Sequence, residues 1–168
     1  MVMTMSRIEE VEAAIRAVPD PEIPVISLDD LGVIRSFETD IDAGVVHVVM
    51  TPTYSGCPAM EAMSSSVASV IARSGFEPQV KIVLDPPWTT DWMSESGRKA
   101  LQQFGIAPPG PAGRPAGPVG LRIARRTVSC PVCGSAHSQV VSEFGSTACK
   151  ALRRCLDCKE PFEEFKPL

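Results

Sequence analysis

The chain has 168 residues, 44% of them hydrophobic, with a formal net charge of −4; this is globular composition, sufficient for one ordinary domain and a small second module. No apolar run approaches the roughly 20 residues of a membrane helix, and the opening MVMTMSRIEE has neither the basic nor the apolar region of an export signal, so the expectation is a cytoplasmic protein with no membrane partner. Charge divides unevenly: residues 1–104 carry seven Lys/Arg against fifteen Asp/Glu, and the remainder nine against five, which points to two modules with different partners.

Ser6-x-x-Glu9 has the form of a capping box, and Ile8, Val11, Ile15 and Val18 follow at helical spacing until Pro19-Asp20-Pro21 ends the run. DPEIPVISLDD then reads as an extended loop. LGVIRSF (31–37) and VVHVVM (45–50) read as strands joined through Asp42-Ala43-Gly44, a hairpin. A second helix starts after Cys57, with Met60, Met63, Val67, Val70 and Ile71 on one face and Gly75 at its end. QVKIVL (79–84) is a third strand, with Val80, Ile82 and Leu84 alternating, and a loop leads into a short final helix. The fold class is α+β: a small mixed three-stranded sheet with helices on one face, in the order α-β-β-α-β-α. Residues 105–120, GIAPPGPAGRPAGPVG, hold five Pro and five Gly, a linker expected to build neither helix nor sheet. The module boundaries are therefore 1–104, 105–120 and 121–168.

The tail carries the clearest chemistry. Cys130-Pro131-Val132-Cys133 and Cys155-Leu156-Asp157-Cys158 form two C-x2-C pairs separated by 21 residues. Such pairs close tight turns whose sulfurs converge on one tetrahedral site, and four thiolates select zinc or iron. A closed set of four leaves no open position, so zinc there is structural, and in a module this small the metal supplies most of the folding free energy. QVV (139–141) and the segment before Cys155 read as ribbon strands, with Phe162 and Phe165 packing on the knuckles. Cys149 is a spare, and His137, four residues past Cys133, is an alternative nitrogen ligand. Arg122, Arg125, Arg126, Arg153 and Arg154 could contact phosphates, but few aromatics interleave with them, so nucleic acid is a weak reading.

The first module holds one cysteine, Cys57. Pro58 suits a first helical position, which puts Cys57 at the N-cap, where the positive helix end favours thiolate. That makes it a candidate nucleophile or metal ligand. His47, in the second strand, is no convincing base for it, which disfavours a thiol enzyme. Asp20 and Glu22, in the proline-rich loop, are candidate oxygen ligands or ordinary turn residues.

Three stretches, DPEIPVISLDDLGVI, TPTYSGCPAM and DPPWTTDWMSESGRKAL, resemble the iron–sulfur assembly family catalogued as domain of unknown function 59, the MIP18 family, over roughly residues 7–104. With the cysteine-rich tail the whole chain but the linker resembles the D-type (J-type) accessory proteins of phenylacetyl-CoA epoxidase (1,2-monooxygenase) systems of phenylacetate degradation. The resemblance implies a MIP18-like fold with a zinc ribbon and a non-catalytic maturation factor. It also implies clients among the oxygenase or reductase components, and makes Cys57 the reactive cysteine, with Asp20 and Glu22 matching an acidic-Pro signature. One thiol cannot hold a cluster alone, since four ligands are usual; a transient iron or iron–sulfur site draws the rest from a client or from a homodimer. A structural oxygenase subunit acting by contacts alone is the alternative, and a zinc-ribbon nucleic-acid-binding protein a further one.

Overall fold

The computed structural model describes residues 2–110 and 127–167. The chain divides into two compact units, one of residues 1–88 and 92–97, the other of residues 89–91 and 98–168. Among the described residues no helix is long and apolar enough to cross a membrane.

The first unit is built from α1 (Val2–Arg16), β1 (Ile34–Asp40), β2 (Val45–Met50), α2 (Met60–Arg73) and β3 (Glu77–Ile82). Its sheet has the order β1-β2-β3, with β1 and β2 antiparallel and β2 and β3 parallel. The alternation of VVHVVM sets this layer: Val46, Val48 and Met50 are fully buried, while His47 between them is exposed. The cover comes from α2 through Met63, Val67 and Ile71, and from α1 through Val11 and Ile15. The hairpin turns at Gly44, whose φ of +68° suits glycine, and the Asp40 carboxylate accepts the Ala43 N–H at 2.9 Å. Because β2, α2 and β3 form a parallel crossover, the loops leaving β2 and β3 and the N-terminus of α2 share one end of the sheet.

Several element boundaries differ from those read in the sequence. The first helix begins at Val2, so Ser6-x-x-Glu9 lies inside it instead of capping it. The first strand runs Ile34–Asp40, since residues 28–33 are tied into the preceding loop by the Leu28 carbonyl, which accepts Val33 and Ile34 N–H. The third strand is Glu77–Ile82, and Ile82 and Leu84 are 46% and 56% exposed; the inward face expected for them ends where the strand runs out from under α2.

The loop 19–33 is knitted internally and to Trp88 and residues 94–97. Asp20 Oδ1 accepts the N–H groups of Glu22 and Ile23 at 2.8 and 2.7 Å. The Asp30 carboxylate accepts the hydroxyls of Ser27 (3.1 Å), Ser96 (2.6 Å) and Ser94, and Trp88 Nε1 donates to the Leu31 carbonyl at 3.1 Å. Gly97 allows this approach: a Cβ there would lie 2.8 Å from Ile26 Cδ1 and 3.0 Å from the Asp30 carbonyl oxygen.

In the second unit α3 (Glu95–Phe104), whose first turn belongs to the first unit, precedes β4 (Ile106–Ala107), β5 (Ser138–Ser142), β6 (Lys150–Cys155) and β7 (Pro161–Phe165). The sheet order is β4-β7-β6-β5, antiparallel except for β4 on β7. Residues 105–120 therefore do contribute sheet, at Ile106–Ala107, because β7 offers them a ladder; residues 111–120, with Arg122, Arg125 and Arg126, lie outside the described residues. Phe162 packs with Ala107, Val128, Cys130 and Cys155 in one apolar cluster, and Phe165 is fully buried. On β6 and β7 a buried ion pair, Arg153 to Glu164 at 2.8 Å, replaces apolar packing.

Candidate metal centre and the Cys57 site

The two C-x2-C turns are shaped by their own backbones. Cys130 and Gly134 close the first, the Gly134 N–H donating to the Cys130 carbonyl at 2.9 Å with Gly134 at φ +74°. The second is closed by the Cys155 N–H on the Glu160 carbonyl at 3.0 Å, with Lys159 at φ +68°. The sulfurs of Cys130, Cys133, Cys155 and Cys158 all lie within 4.8 Å of one another. Two of the separations are 3.8 Å (Cys130 to Cys158) and 3.6 Å (Cys133 to Cys155). Four sulfurs at about 2.3 Å from a tetrahedral ion stand about 3.8 Å apart, so the set fits a four-thiolate metal site.

The protonation pattern points the same way. Burial opposes ionisation of Cys155, but the N–H groups of Cys158 and Asp157 and the thiols of Cys158 and Cys133 outweigh it and bring the thiol down to about 6. The Glu160 N–H favours a Cys158 thiolate, yet burial and the thiols of Cys133, Cys155 and Cys130 push it up to about 12. The clustered thiols thus favour ionisation at one sulfur and oppose it at another, whereas a bound cation would favour thiolate at all four.

Neighbouring candidates stand outside this set. His137 is exposed, its Nδ1 3.5 Å from Asp157 Oδ2. Cys149 is half-buried with its sulfur 3.1 Å from Thr147 Oγ1. Arg153 is not available to phosphate, being buried against Glu164 and bonded to Ser138 Oγ at 3.2 Å. Lys150 is likewise buried, 2.8 Å from Glu163. Of the ribbon arginines considered for phosphate, Arg154 alone is exposed among the described residues.

Cys57 lies at the carboxyl end of the parallel pair β2/β3, half-buried, in a turn where its N–H donates to the Tyr54 carbonyl at 3.0 Å. The N-cap of α2 is Ala59, not Cys57. The N–H groups of Ala59 and Met60 do favour a Cys57 thiolate, but the expectation of a lowered thiol fails. Burial, first, and then the charges of Glu22 and Asp20 push the Cys57 thiol up. The charges of Asp20 and Glu22 thus act on Cys57 from a loop more than thirty residues away in sequence. Among the described residues the tail cysteines form the one group of three or more donors close enough to share an ion, so the Cys57 site is not a preformed cage. Asp20 is buried and caps its own turn through Oδ1, while Glu22 is exposed. Sequence reasoning missed the Asp30–Ser94–Ser96 latch; the runs LDD and SES were its signal, with nothing local to pair them.

Comparison with known proteins follows this division. Residues 8–84 match the family model described as iron–sulfur cluster assembly protein, and residues 114–166 the one described as PaaD zinc beta ribbon domain. A protein of Escherichia coli (strain K12), provisionally named as the D-type component of 1,2-phenylacetyl-CoA epoxidase, is 45% identical over 95% of this chain and 93% of its own length. The Fe-S protein maturation auxiliary factor YitW of Bacillus subtilis (strain 168) is 35% identical, covering 55% of this chain and 91% of its own. A crystal structure of a domain of unknown function, DUF59, from Bacillus anthracis superposes with a TM-score of 0.52 at 28% identity, over 60% of this chain and 97% of that one.

Proposed function

This chain belongs to the family of the Escherichia coli D-type epoxidase component, an iron–sulfur cluster assembly domain joined to a PaaD zinc β-ribbon, and from that membership we propose an accessory, non-catalytic maturation factor for the phenylacetyl-CoA epoxidase system. In this reading it works in the cytoplasm, and its clients are the oxygenase or reductase components. It aids assembly of an iron or iron–sulfur centre through Cys57. Residues 1–104 form the assembly domain, 121–168 the ribbon, and 105–120 join them.

The observation that carries the reading is the family match over nearly the whole chain; at Cys57, besides burial, the charges of Glu22 and Asp20 oppose the thiolate. Carboxylates beside a thiol oppose a free thiolate but favour a bound cation. A thiol enzyme needs the reverse, a base or a positive charge beside the sulfur. Iron or a nascent cluster is cargo here, with Cys57 supplying one ligand, Glu22 and Asp20 candidate oxygen ligands, and the client the remainder. In the ribbon, Cys130, Cys133, Cys155 and Cys158 would hold zinc, which would fix the fold of that unit and take no part in transfer.

The test is anaerobic purification of wild type and Cys57→Ala with metal analysis, followed by client activation. One zinc per chain is expected in both, with iron transfer and oxygenase activation lost in the variant. Activation that survives Cys57→Ala, with no iron ever found, overturns the reading. The relative's name as part of the epoxidase favours a second reading, a structural component acting by contact alone. In that case Cys57→Ala leaves the iron content of the system intact and ribbon deletion breaks the complex.

A further inference from the structure

Five large apolar side chains of the first unit are exposed among the described residues: Val25, Ile41, Tyr54, Ile82 and Leu84. Ile41 is in the β1–β2 turn, at the far end of the sheet. The other four belong to the Cys57 turn, the end of β3 and the loop 19–33. Tyr54, 50% exposed, shares the Cys57 turn. Ile82 pairs in register with Met50, where β2 runs out toward that turn, and Leu84 follows it; the Val83 N–H donates to the Met50 carbonyl at 2.9 Å. Val25 lies in the loop of Glu22 and Asp20, whose charges act on the thiol. Among the described residues, four of these five exposed side chains thus fall on segments toward one end of the sheet.

Carboxylates outnumber cations at this end of the sheet. Glu22, Glu61 in the first turn of α2, and Asp85 after β3 are exposed carboxylates, against Lys81 on β3 and Arg35 at the start of β1, which pairs with Met50 through Ile34. We propose that this end of the sheet is a client-docking surface, and that it fits a folded protein face with an apolar centre ringed by Lys and Arg, presented directly to Cys57. Charge selects this occupant over a second copy of the chain. Two identical acidic faces would set like charges against one another, which costs association, whereas a basic ring is steered in and held. The inference deepens the functional reading above and rests on it for the choice of client.

The experiment measures binding of the full, metal-loaded chain to the purified oxygenase complex and, separately, to the reductase, by biolayer interferometry at several salt concentrations, with client activation assayed in parallel. Tyr54→Ser combined with Leu84→Ser should weaken binding to the client at least tenfold, as expected for truncated anchors at a docking centre. Glu61→Lys should weaken it several-fold and flatten its salt dependence. All three side chains are exposed, so folding is retained; unchanged circular dichroism and zinc content verify this. Cys57→Ala should bind like wild type while failing to activate. Wild-type affinity in the Tyr54/Leu84 variant, or weakening by Val132→Ser in the ribbon instead, overturns the surface and leaves the functional reading standing. Normal docking without Cys57-dependent activation overturns the functional reading and leaves the surface. No binding to either component overturns both. Self-association that Tyr54→Ser and Leu84→Ser abolish assigns the surface to a second copy and also refutes the proposal.

Discussion

Asp30→Ala tests the latch that holds the 19–33 loop against residues 94–97. The carboxylate accepts the hydroxyls of Ser27, Ser94 and Ser96, and Ser94 Oγ in turn accepts the Gly97 N–H at 2.9 Å at the start of α3. A hydrogen bond to a charged group is worth about 1.5–3 kcal/mol when buried. Asp30 is partly exposed, so water replaces part of each bond, and about 2 kcal/mol is the expected total cost. For a chain of this size that lowers the melting temperature by roughly 4–8 °C. Asp30 is held below the usual carboxylate value: burial opposes ionisation, and the three serine hydroxyls overcome it. The sign follows. A depressed folded-state value means the stabilisation is complete above the unfolded value of 3.8 and is lost as pH falls through the lower folded value. Thermal unfolding of wild type and Asp30→Ala should therefore differ fully at pH 7 and at pH 5, with the gap closing only below pH 3.8. A difference under about 0.5 kcal/mol at pH 7, or one that already shrinks between pH 7 and 5, refutes the latch.

Arg153→Met should cost about 3 kcal/mol by removing the ion-pair partner 2.8 Å from buried Glu164, while Arg153→Met with Glu164→Leu should recover most of it; urea unfolding of the metal-loaded chain measures both. Gly97→Ala should destabilise by about 1–3 kcal/mol, since its Cβ would press on Ile26 and the Asp30 carbonyl; a neutral result would mean the loop yields freely. Glu22→Gln should speed alkylation of Cys57 at pH 8 by roughly two- to threefold, because removing a negative charge lowers a thiol held high. The same variant should reduce client activation. Peptide-level mass mapping separates Cys57 from Cys149.

The parts legible in the sequence are those fixed by short spacing. VVHVVM alternates over six residues, and β2 occupies those six. Cys-x2-Cys dictates a turn within four residues, so the sulfur cluster could be read without knowing the sheet. Illegible were features made by residues distant in the chain. Asp30 and Ser96 are 66 apart, and nothing near either predicts the pairing. Arg153 looks like surface charge until β7 brings Glu164 under it. Ile106–Ala107 sits in a Pro/Gly-rich run that favours no strand, and β7 supplies the ladder from more than fifty residues away. Ile82 and Leu84 alternate like core positions, but alternation cannot reveal where the cover ends.

The Cys57 thiol shows how such distant contacts reverse a local inference. Its own segment supplies the N–H groups of Ala59 and Met60, which favour thiolate, and a reading confined to residues 53–60 yields an activated nucleophile. Burial, and then the charges of Glu22 and Asp20, reverse that and push the thiol up. For an electrophilic substrate this is a poor arrangement, since negative charge destabilises the attacking form. For a metal cation it is a good one, since each carboxylate that hinders loss of the proton attracts the ion that replaces it. Glu22→Gln therefore moves alkylation and assembly in opposite directions, a divergence that nucleophilic catalysis by Cys57 would not produce.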